Sequence, residues 1–191
     1  MEYISPQSNT RSLYEKLDAI AFEAAGHLGC DTELISIQHD EALHSLGAFP
    51  VLEGEVSARA HARKDTVCHR TIEMGAPLRL PDARIVEGFS NLRYVREGFV
   101  VGYLGVPIRN TGIGTVGSLC SISATPREWT PLEIAYLEQV SKNVELILLN
   151  DLFRLEMQVK WSGKTGQGAK MYPTRTNGYE NDKTTELFRP V

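Results

Sequence analysis

Near the start of the chain, apolar residues recur at three- and four-residue spacing, which is the pattern of a helix with one buried face. This spacing predicts a helix over about residues 9–28, with Gly29 as its C-terminal stop. Residues 34–38 then read as a strand, and residues 42–49 read as the partner strand of a hairpin. The first third of the chain is therefore expected to be a helix followed by two antiparallel strands.

In the middle of the chain, the spacing of the apolar residues changes several times within short distances. The pattern predicts, in order, a short helix, a short strand, an irregular segment and two strands, at about residues 65–74, 77–80, 82–98, 99–109 and 115–123. A turn sequence, Asn110-Thr111-Gly112, separates the last two strands, so they are expected to form a second antiparallel hairpin.

The clearest local signal precedes the last helix. Thr130 and Glu133 have the spacing of a capping box, in which each side chain accepts a hydrogen bond from the backbone amide of the other residue. Pro131 lies between them, at the first helical position, where proline is favoured. The apolar period then continues to about residue 160, so a long helix is expected from Thr130 onward.

The order of elements is helix, strands, short helix, strands, long helix. This order lacks the regular strand–helix alternation of a parallel sheet, and it favours an α+β fold with a central antiparallel sheet against terminal helices. We assign residues 1–160 to one domain. Residues 161–191 are rich in Gly, Lys, Thr and Asn, and are expected to form a flexible polar tail.

Composition narrows the function classes. The chain has 191 residues, of which 42% are hydrophobic and 23% are charged, as in an ordinary globular protein. A net charge of −4 gives no electrostatic case for nucleic-acid binding, and no apolar run is long enough for a membrane span. We expect a soluble cytoplasmic protein. Its three cysteines, Cys30, Cys68 and Cys120, are expected to be reduced thiols.

A succession of short motifs makes the chain recognisable. They are VCHRTI, GAPLRLPDA, GYLGVPI, GTVGSLCSI and PREWTP, at residues 67–72, 75–83, 102–108, 114–122 and 126–131. This succession resembles the GAF domain family, small sensory modules of signalling proteins. The likeness is strongest over residues 64–145.

The resemblance implies a sheet of about five or six strands, with the terminal helices on one face and residues 82–98 as a roof over the other. It implies a regulatory module without catalytic activity, which holds a small ligand under the roof and passes the signal through its terminal helices. The ligand-binding residues expected on this basis are Cys68, Asp82, Phe89, Arg93, Tyr94, Tyr103, Ser118 and Cys120. Neither the ligand nor any cofactor is identified by the sequence.

Two other functions stay open. One is a thiol-based redox sensor, or an enzyme like the methionine sulfoxide reductases of this fold, built on Cys68 and Cys120. Adjacent helical residues point about 100° apart, so Cys68 is expected to be buried beside an exposed His69 rather than activated by it. The other is a dimerisation module without a ligand. Residues 82–98 contain no cysteine, which argues against covalent attachment of a bilin in the roof.

The charged residues and the length of the last helix bear on which ligands, metals and partner chains the protein could contact. Arg84, Arg93 and Arg96 lie in the roof segment, where they either turn inward to hold a carboxylate or phosphate, or lie in solvent. The histidines and cysteines have no standard zinc spacing, so no metal is expected. Apolar residues continue along the last helix beyond the domain, so we expect a homodimer through the terminal helices and a downstream signalling partner.

Overall fold

In a computed structural model of the protein, residues 6–50 and 60–162 are described, with side chains over 13–50 and 60–151. The helices are α1 (Pro6–Leu28), α2 (Cys68–Met74), α3 (Arg93–Arg96) and α4 (Pro131–Ser162). The strands are β1 (Thr32–His39), β2 (Ala42–Phe49), β3 (Ala60–Ala62), β4 (Leu78–Leu80), β5 (Gly102–Asn110) and β6 (Gly114–Ser123).

The described strands form a single antiparallel sheet with the order β3-β2-β1-β6-β5-β4. The sheet has six strands among the described residues, so the predicted α+β class with five or six strands is confirmed. Strand β6 is central and pairs with β1 on one side and β5 on the other. Cys120 lies opposite Leu34 of β1 and Gly105 of β5, which places these three residues in one row on one face.

The terminal helices cover one face of this sheet. Helix α1 approaches β2 so closely that a Cβ atom on Gly47 would lie 2.6 Å from the carbonyl oxygen of Leu17. Helix α4 is fixed to β5, because the Ser141 hydroxyl donates a 2.8 Å hydrogen bond to the Pro107 carbonyl. We call this side the helix face and the opposite side the pocket face.

One arginine joins the end of α1 to the start of α4. Arg127 donates hydrogen bonds to the carbonyl oxygens of Gly29, at 3.0 Å, and Leu28, at 2.5 Å, and it also pairs with Glu133. Its guanidinium carbon lies 4.3 Å from the centre of the Trp129 ring. The guanidinium group thus supplies hydrogen bonds to carbonyl oxygens that have no partner within α1. A positive charge is favourable there, because the C-terminal end of a helix carries partial negative charge.

The predicted capping box is confirmed at the start of α4. The Thr130 amide donates to Glu133 at 2.7 Å, and the Glu133 amide donates to the Thr130 hydroxyl at 3.2 Å. The helix runs for 32 residues, to Ser162. Neither α4 nor any other helix in the described parts of the chain is apolar enough over its length to cross a membrane.

Most predicted boundaries agree with the structure to within a few residues. Strand β5 begins at Gly102 rather than at residue 99, because the Val100 amide hydrogen-bonds to the Tyr94 carbonyl and so does not join the sheet. The chain divides into two units, Met1–Leu146 and Ile147–Val191, and the site described below lies in the first. Beyond Ser162, the predicted polar tail lies outside the described residues.

The contact between α1 and β2 gives a stability test with a matched control. We expect Gly47→Ala to destabilise the fold by about 1–3 kcal/mol, since the added methyl group meets the backbone of Leu17. We expect Gly26→Ala to stabilise it by about 0.5–1 kcal/mol, because a Cβ there meets nothing within 4 Å and Gly26 lies within a helix. Urea unfolding of both variants measures the difference. Equal effects of the two substitutions would contradict the close packing.

Candidate functional site

The pocket face of the sheet is covered by a compact apolar cluster, which we call the pocket cluster. It consists of Leu43, Val67, Cys68, Ile72, Leu78, Leu80, Ala83, Val95, Val100, Tyr103, Cys120 and Ile122. These residues come from the sheet, from α2 and from the segment between β4 and β5. The cluster therefore lies between the sheet and the roof, on the side away from the terminal helices.

The roof segment, residues 82–98, packs inward as expected. Phe89, Leu92 and Tyr94 are partly buried against the pocket cluster, and Val95 is fully buried within it. The Tyr94 hydroxyl also lies 3.0 Å from Nδ1 of His61, on edge strand β3. The roof thus spans the pocket face from β5 to the far edge of the sheet.

A row of polar side chains crosses the sheet beneath this roof. Ser118 of β6, Ser36 of β1 and Ser45 of β2 are register partners, and they share the pocket face with Cys120 and Leu34 by strand alternation. All three serines are buried, and the hydroxyls of Ser36 and Ser45 lie 3.5 Å apart. Because uncharged hydrogen-bonding groups are costly to bury, such a row in an apolar layer needs a polar partner.

Two polar atoms on this face lack such a partner. Ser118 Oγ and Gln38 Oε1 are buried and have no nitrogen or oxygen hydrogen-bond partner among the residues that the structure describes, and the Ser118 hydroxyl lies close enough to Cys68 to lower the pKa of that thiol. Gln38 follows Ser36 by two residues on β1 and lies opposite Leu43, so it shares the pocket face. Buried polar atoms are nearly always hydrogen-bonded in proteins, so each exception needs an explanation, of which a bound water or ligand is one.

Tyr103 and Thr71 connect β5 to α2, next to the row that holds Gly105 and Cys120. Their hydroxyls are 2.8 Å apart and buried. A Cβ atom on Gly105 would lie 2.3 Å from the Tyr103 hydroxyl oxygen, so only glycine lets the phenol ring lie along the strand. Burial raises the pKa of Tyr103 well above its usual value, which keeps its hydroxyl neutral and able to donate.

Two thiols meet between α2 and β6. Cys68 Sγ, at the first residue of α2, lies 3.1 Å from Cys120 Sγ, and both cysteines are free. Cys68 is 6% exposed and Cys120 is 0% exposed. The thiol pair is thus part of the pocket cluster.

The charged residues of the roof lie on its outer side. Arg84 is half-exposed and pairs with Asp82 at 2.6 Å, and Arg93 pairs with Glu97 at 3.0 Å. Arg96 is exposed. Of the predicted ligand-binding residues, Asp82 and Arg93 therefore lie in surface ion pairs, whereas the others contribute to the pocket layer.

His69 is buried rather than exposed, contrary to expectation. It is 5% exposed, and its Nδ1 hydrogen-bonds to the carbonyl oxygen of Thr66, one turn earlier. Burial lowers the pKa of His69 and favours its neutral form. The imidazole is thus held by its own backbone, while Cys68 contacts Cys120, so the two neighbours do not form a catalytic pair.

Sequence reasoning did not identify Ser36, Gln38, Ser45 or His61 as pocket residues. A signal for two of them was present. In the predicted strand 34–38, Ser36 and Gln38 alternate with Ile35 and Ile37, which is the pattern of a strand with one polar face. That polar face lies toward the roof rather than toward solvent, and only the layer above the sheet reveals this.

A second buried polar group lies on the helix face. Glu33 of β1 is fully buried, accepts a 2.7 Å hydrogen bond from Ser121 on β6, and has Cys30 Sγ 3.5 Å away. Its other oxygen, Oε1, has no hydrogen-bond partner among the described residues. Burial raises the pKa of Glu33 to about 8, and burial together with Glu33 raises the pKa of Cys30 to about 12.

The described residues do not form a metal-binding site. Among the side chains described, over residues 13–50 and 60–151, no three His, Cys, Asp or Glu residues converge in the way that a metal site requires. The pocket face instead offers hydroxyl, amide, thiol and aromatic groups, which suit hydrogen bonding and apolar contact with an organic molecule.

A central antiparallel sheet, with terminal helices on one face and a roofed cluster on the other, is the architecture of a small sensory module. The family model for the GAF domain matches residues 12–148, which is well over half of the sequence. The chain therefore belongs to the GAF domain family, the sensory and regulatory modules of signalling proteins. No curated protein matches the chain.

Several solved structures share the fold at low sequence identity. The blue-light-absorbing PixJ GAF domain of Thermosynechococcus elongatus is 17% identical, with a TM-score of 0.63 over 86% of this chain and 100% of that one. The type II free methionine-R-sulfoxide reductase of Thermoplasma acidophilum is 11% identical, with a TM-score of 0.60 over 73% and 94%. The GAF-B domain of DevS from Mycobacterium smegmatis is 19% identical, with a TM-score of 0.57 over 74% and 96%. At these identities the likeness shows the fold alone.

The buried carboxyl of Glu33 predicts a distinctive dependence of stability on pH. Its pKa is about 8 in the folded protein and 4.5 in the reference state, so the folded protein binds the extra proton. The free energy of unfolding should therefore fall as pH rises from about 4.5 to 8, by on the order of 5 kcal/mol, and then level off. Glu33→Gln should remove this fall, as urea unfolding between pH 5 and pH 9 will measure.

Glu73→Gln is the matched control for this experiment. Glu73 is 38% exposed and pairs with Arg63 and Arg70 at the surface, so its neutralisation should change stability by less than about 1 kcal/mol. If Glu33→Gln keeps the pH dependence of the unsubstituted protein, Glu33 is not the group that titrates.

Proposed function

We propose that this GAF domain is a non-catalytic sensor that holds a small organic ligand between the sheet and the roof segment. The observation that carries the proposal is the buried polar row, in which Ser118 Oγ and Gln38 Oε1 lack partners among the described residues. A ligand that supplies their hydrogen bonds would recover the cost of burying them. The apolar cluster around the row would contact the rest of the ligand.

The charges near the pocket favour an uncharged ligand. The roof arginines Arg84 and Arg93 are already paired with carboxylates on the outer surface. Burial and the nearby His44 lower the pKa of His61, which favours its neutral form at the pocket edge. We therefore expect a compact, neutral and largely apolar molecule that carries a hydroxyl or amide group, rather than a phosphate or carboxylate.

The contacts of β5 offer a route from this pocket to α4. On the pocket face, β5 carries Tyr103. Toward its other end, the Arg109 amide donates a 2.7 Å hydrogen bond to Glu145, and the Pro107 carbonyl accepts from Ser141. A ligand that shifts β5 would thus displace α4, to the extent that it binds the two states with different affinity.

We also propose that two copies of the chain associate through their terminal helices. Leu132 and Leu146 of α4 are 83% and 65% exposed, and they lie two heptads apart on one side of the helix. Phe22 of α1 is 60% exposed as well. Large apolar side chains at heptad spacing suit a second copy of the same helix as the partner.

The first test concerns the ligand. Native mass spectrometry of the freshly purified protein should show a bound neutral molecule, or thermal-shift measurements should show stabilisation by small phenols, indoles or alcohols. Nucleotides, phosphate and small carboxylic acids should stabilise it less. Stabilisation by the anions alone would contradict the ligand chemistry. If neither class binds, the domain is an interaction module without a ligand.

Two serines on β6 provide a sharp control for the ligand. We expect Ser118→Ala to stabilise the empty protein by about 1 kcal/mol, because it removes an unpartnered hydroxyl, but to weaken ligand binding about three- to tenfold. Ser121 lies on the helix face, where its hydroxyl donates to Glu33. Ser121→Ala removes this hydrogen bond, so it should destabilise the protein and leave the ligand affinity unchanged. The same effect of both substitutions on affinity would contradict the proposed site.

The second test concerns the dimer. Sedimentation velocity of the full chain at micromolar concentration should show a dimer, and the double variant Leu132→Glu/Leu146→Glu should shift it to a monomer. The control is Ile113→Glu, which changes a 69% exposed apolar residue in the β5–β6 turn and should leave the dimer intact. A monomer in the unsubstituted protein would refute the proposal.

A further inference from the structure

We propose that Cys68 and Cys120 form a reversible disulfide, which makes the floor of the pocket a redox-modification site. The two sulfur atoms are 3.1 Å apart and belong to different elements, α2 and β6. A disulfide bond is about 2.05 Å long, so the sulfur atoms need to approach by only about 1 Å. The inference does not depend on a ligand, because the thiols already lie in contact without one.

The surroundings hold the thiols in place. Val67 and Ile72 fix α2 in the pocket cluster on both sides of Cys68, and the Thr71–Tyr103 hydrogen bond ties the same helix to β5. Cys120 lies within the central strand, paired on both sides. Neither element is a loose loop, so the short separation is a property of the packed layers.

The two thiols also differ in their readiness to react. Donation from the Cys120 thiol, and from the Tyr103 hydroxyl, lowers the pKa of Cys68, whereas the proximity of Cys68 and burial raise the pKa of Cys120. Cys68 is also the more accessible of the two thiols, since it is 6% exposed and Cys120 is 0% exposed. Cys68 is therefore the attacking thiolate and Cys120 the resolving thiol.

A peroxide is a suitable oxidant because it is small enough to reach a nearly buried thiol. The Cys68 thiolate attacks one peroxide oxygen, the O–O bond breaks, and protonation of the leaving hydroxide gives water and a sulfenic acid. The Cys120 sulfur then attacks the Cys68 sulfur, and its proton leaves with the hydroxyl group as a second water molecule. Two thiols are oxidised to one disulfide, and one peroxide is reduced to two water molecules. An external dithiol restores the pair by thiol–disulfide exchange.

Cys30 provides the matched control within the same chain. It is partly exposed, but its thiol lies on the other face beside Glu33, and its pKa is raised to about 12. It has neither a neighbouring thiol in its contacts nor a stabilised thiolate. Exposure alone would favour oxidation of Cys30, whereas the geometry favours the buried pair.

The experiment treats the full chain, and the variants Cys30→Ser, Cys68→Ser and Cys120→Ser, with hydrogen peroxide and then with an alkylating reagent. Trypsin cuts after Lys64, Arg70, Arg109 and Arg127, so the disulfide links peptide 65–70 to peptide 110–127. We expect this linked pair in the unsubstituted protein and in Cys30→Ser, and its loss after dithiothreitol. Either of the other variants should lack it. Cys68 should accumulate sulfinic acid in Cys120→Ser, whereas the fully buried Cys120 should stay reduced in Cys68→Ser.

Equilibration in oxidised glutathione for a day distinguishes two reasons why peroxide could fail to form the disulfide. Either the oxidant reaches the buried thiols slowly, or the Cys68–Cys120 disulfide is thermodynamically unfavourable. The unsubstituted protein should become disulfide-bonded under these conditions, and its Tm should rise by roughly 5–10 °C, because the bond closes a long loop. Thiols at Cys68 and Cys120 that remain alkylatable after both treatments would overturn the proposal. So would a disulfide that involves Cys30, or a glutathione adduct on Cys68 in place of the linked peptides. A domain that binds no ligand should give the same expected outcomes, because the two sulfur atoms lie 3.1 Å apart without one.

Discussion

The register of β6 is the constraint on which the rest of the structure depends. This strand is buried over residues 117–123, with a helix layer on one side and the roof on the other. Cys120 and Ser118 point to the pocket face, while Leu119 and Ser121 point to the helix face. A slip by one residue would exchange these two sets, and would place a hydroxyl and a thiol among the helices and Leu119 under the roof. The β5–β6 turn, where Gly112 and Gly114 have positive φ, holds the strand in its register.

This register separates two kinds of buried polar group. On the helix face, the Glu33 carboxyl accepts from Ser121 in a layer that α1 and α4 close, and the raised pKa of Glu33 keeps it protonated at neutral pH. Ionisation of this carboxyl at high pH lowers the stability of the fold. The layer above it consists of the terminal helices and not of the roof segment. On the pocket face, the buried hydroxyls and amide lie beneath a segment without long helices, which is where we propose that a neutral ligand binds. The cost of burying polar groups is thus met by protonation of Glu33 on one face and, in our proposal, by a ligand on the other.

Much of the fold could be predicted from sequence because its signals are local. The α4 capping box needs only Thr130 and Glu133, and the second hairpin needs only its glycine turn between two β-rich runs. The site was predicted less completely because its residues face each other across layers. Asp82 and Arg93 are in the roof segment, yet their side chains lie in surface ion pairs, whereas Ser45 and His61 lie in the pocket layer from strands that the roof covers. The sequence indicates which segments meet, but rotamers and register decide which side chains point inward.

Helix α2 is the element that couples the proposed ligand to the proposed disulfide. It carries Cys68 against the sheet, and one turn later it carries Thr71, which holds Tyr103. In our proposal, the disulfide draws the start of α2 toward β6, because the two sulfur atoms must approach from 3.1 Å to bonding distance. A ligand that pushes α2 away from β6 separates the two sulfur atoms by the same displacement. Because coupling between two equilibria is reciprocal, oxidation must weaken the binding of such a ligand by the factor by which the ligand disfavours oxidation. A sensor built in this way reports the presence of a small molecule and the redox state of its surroundings through one helix.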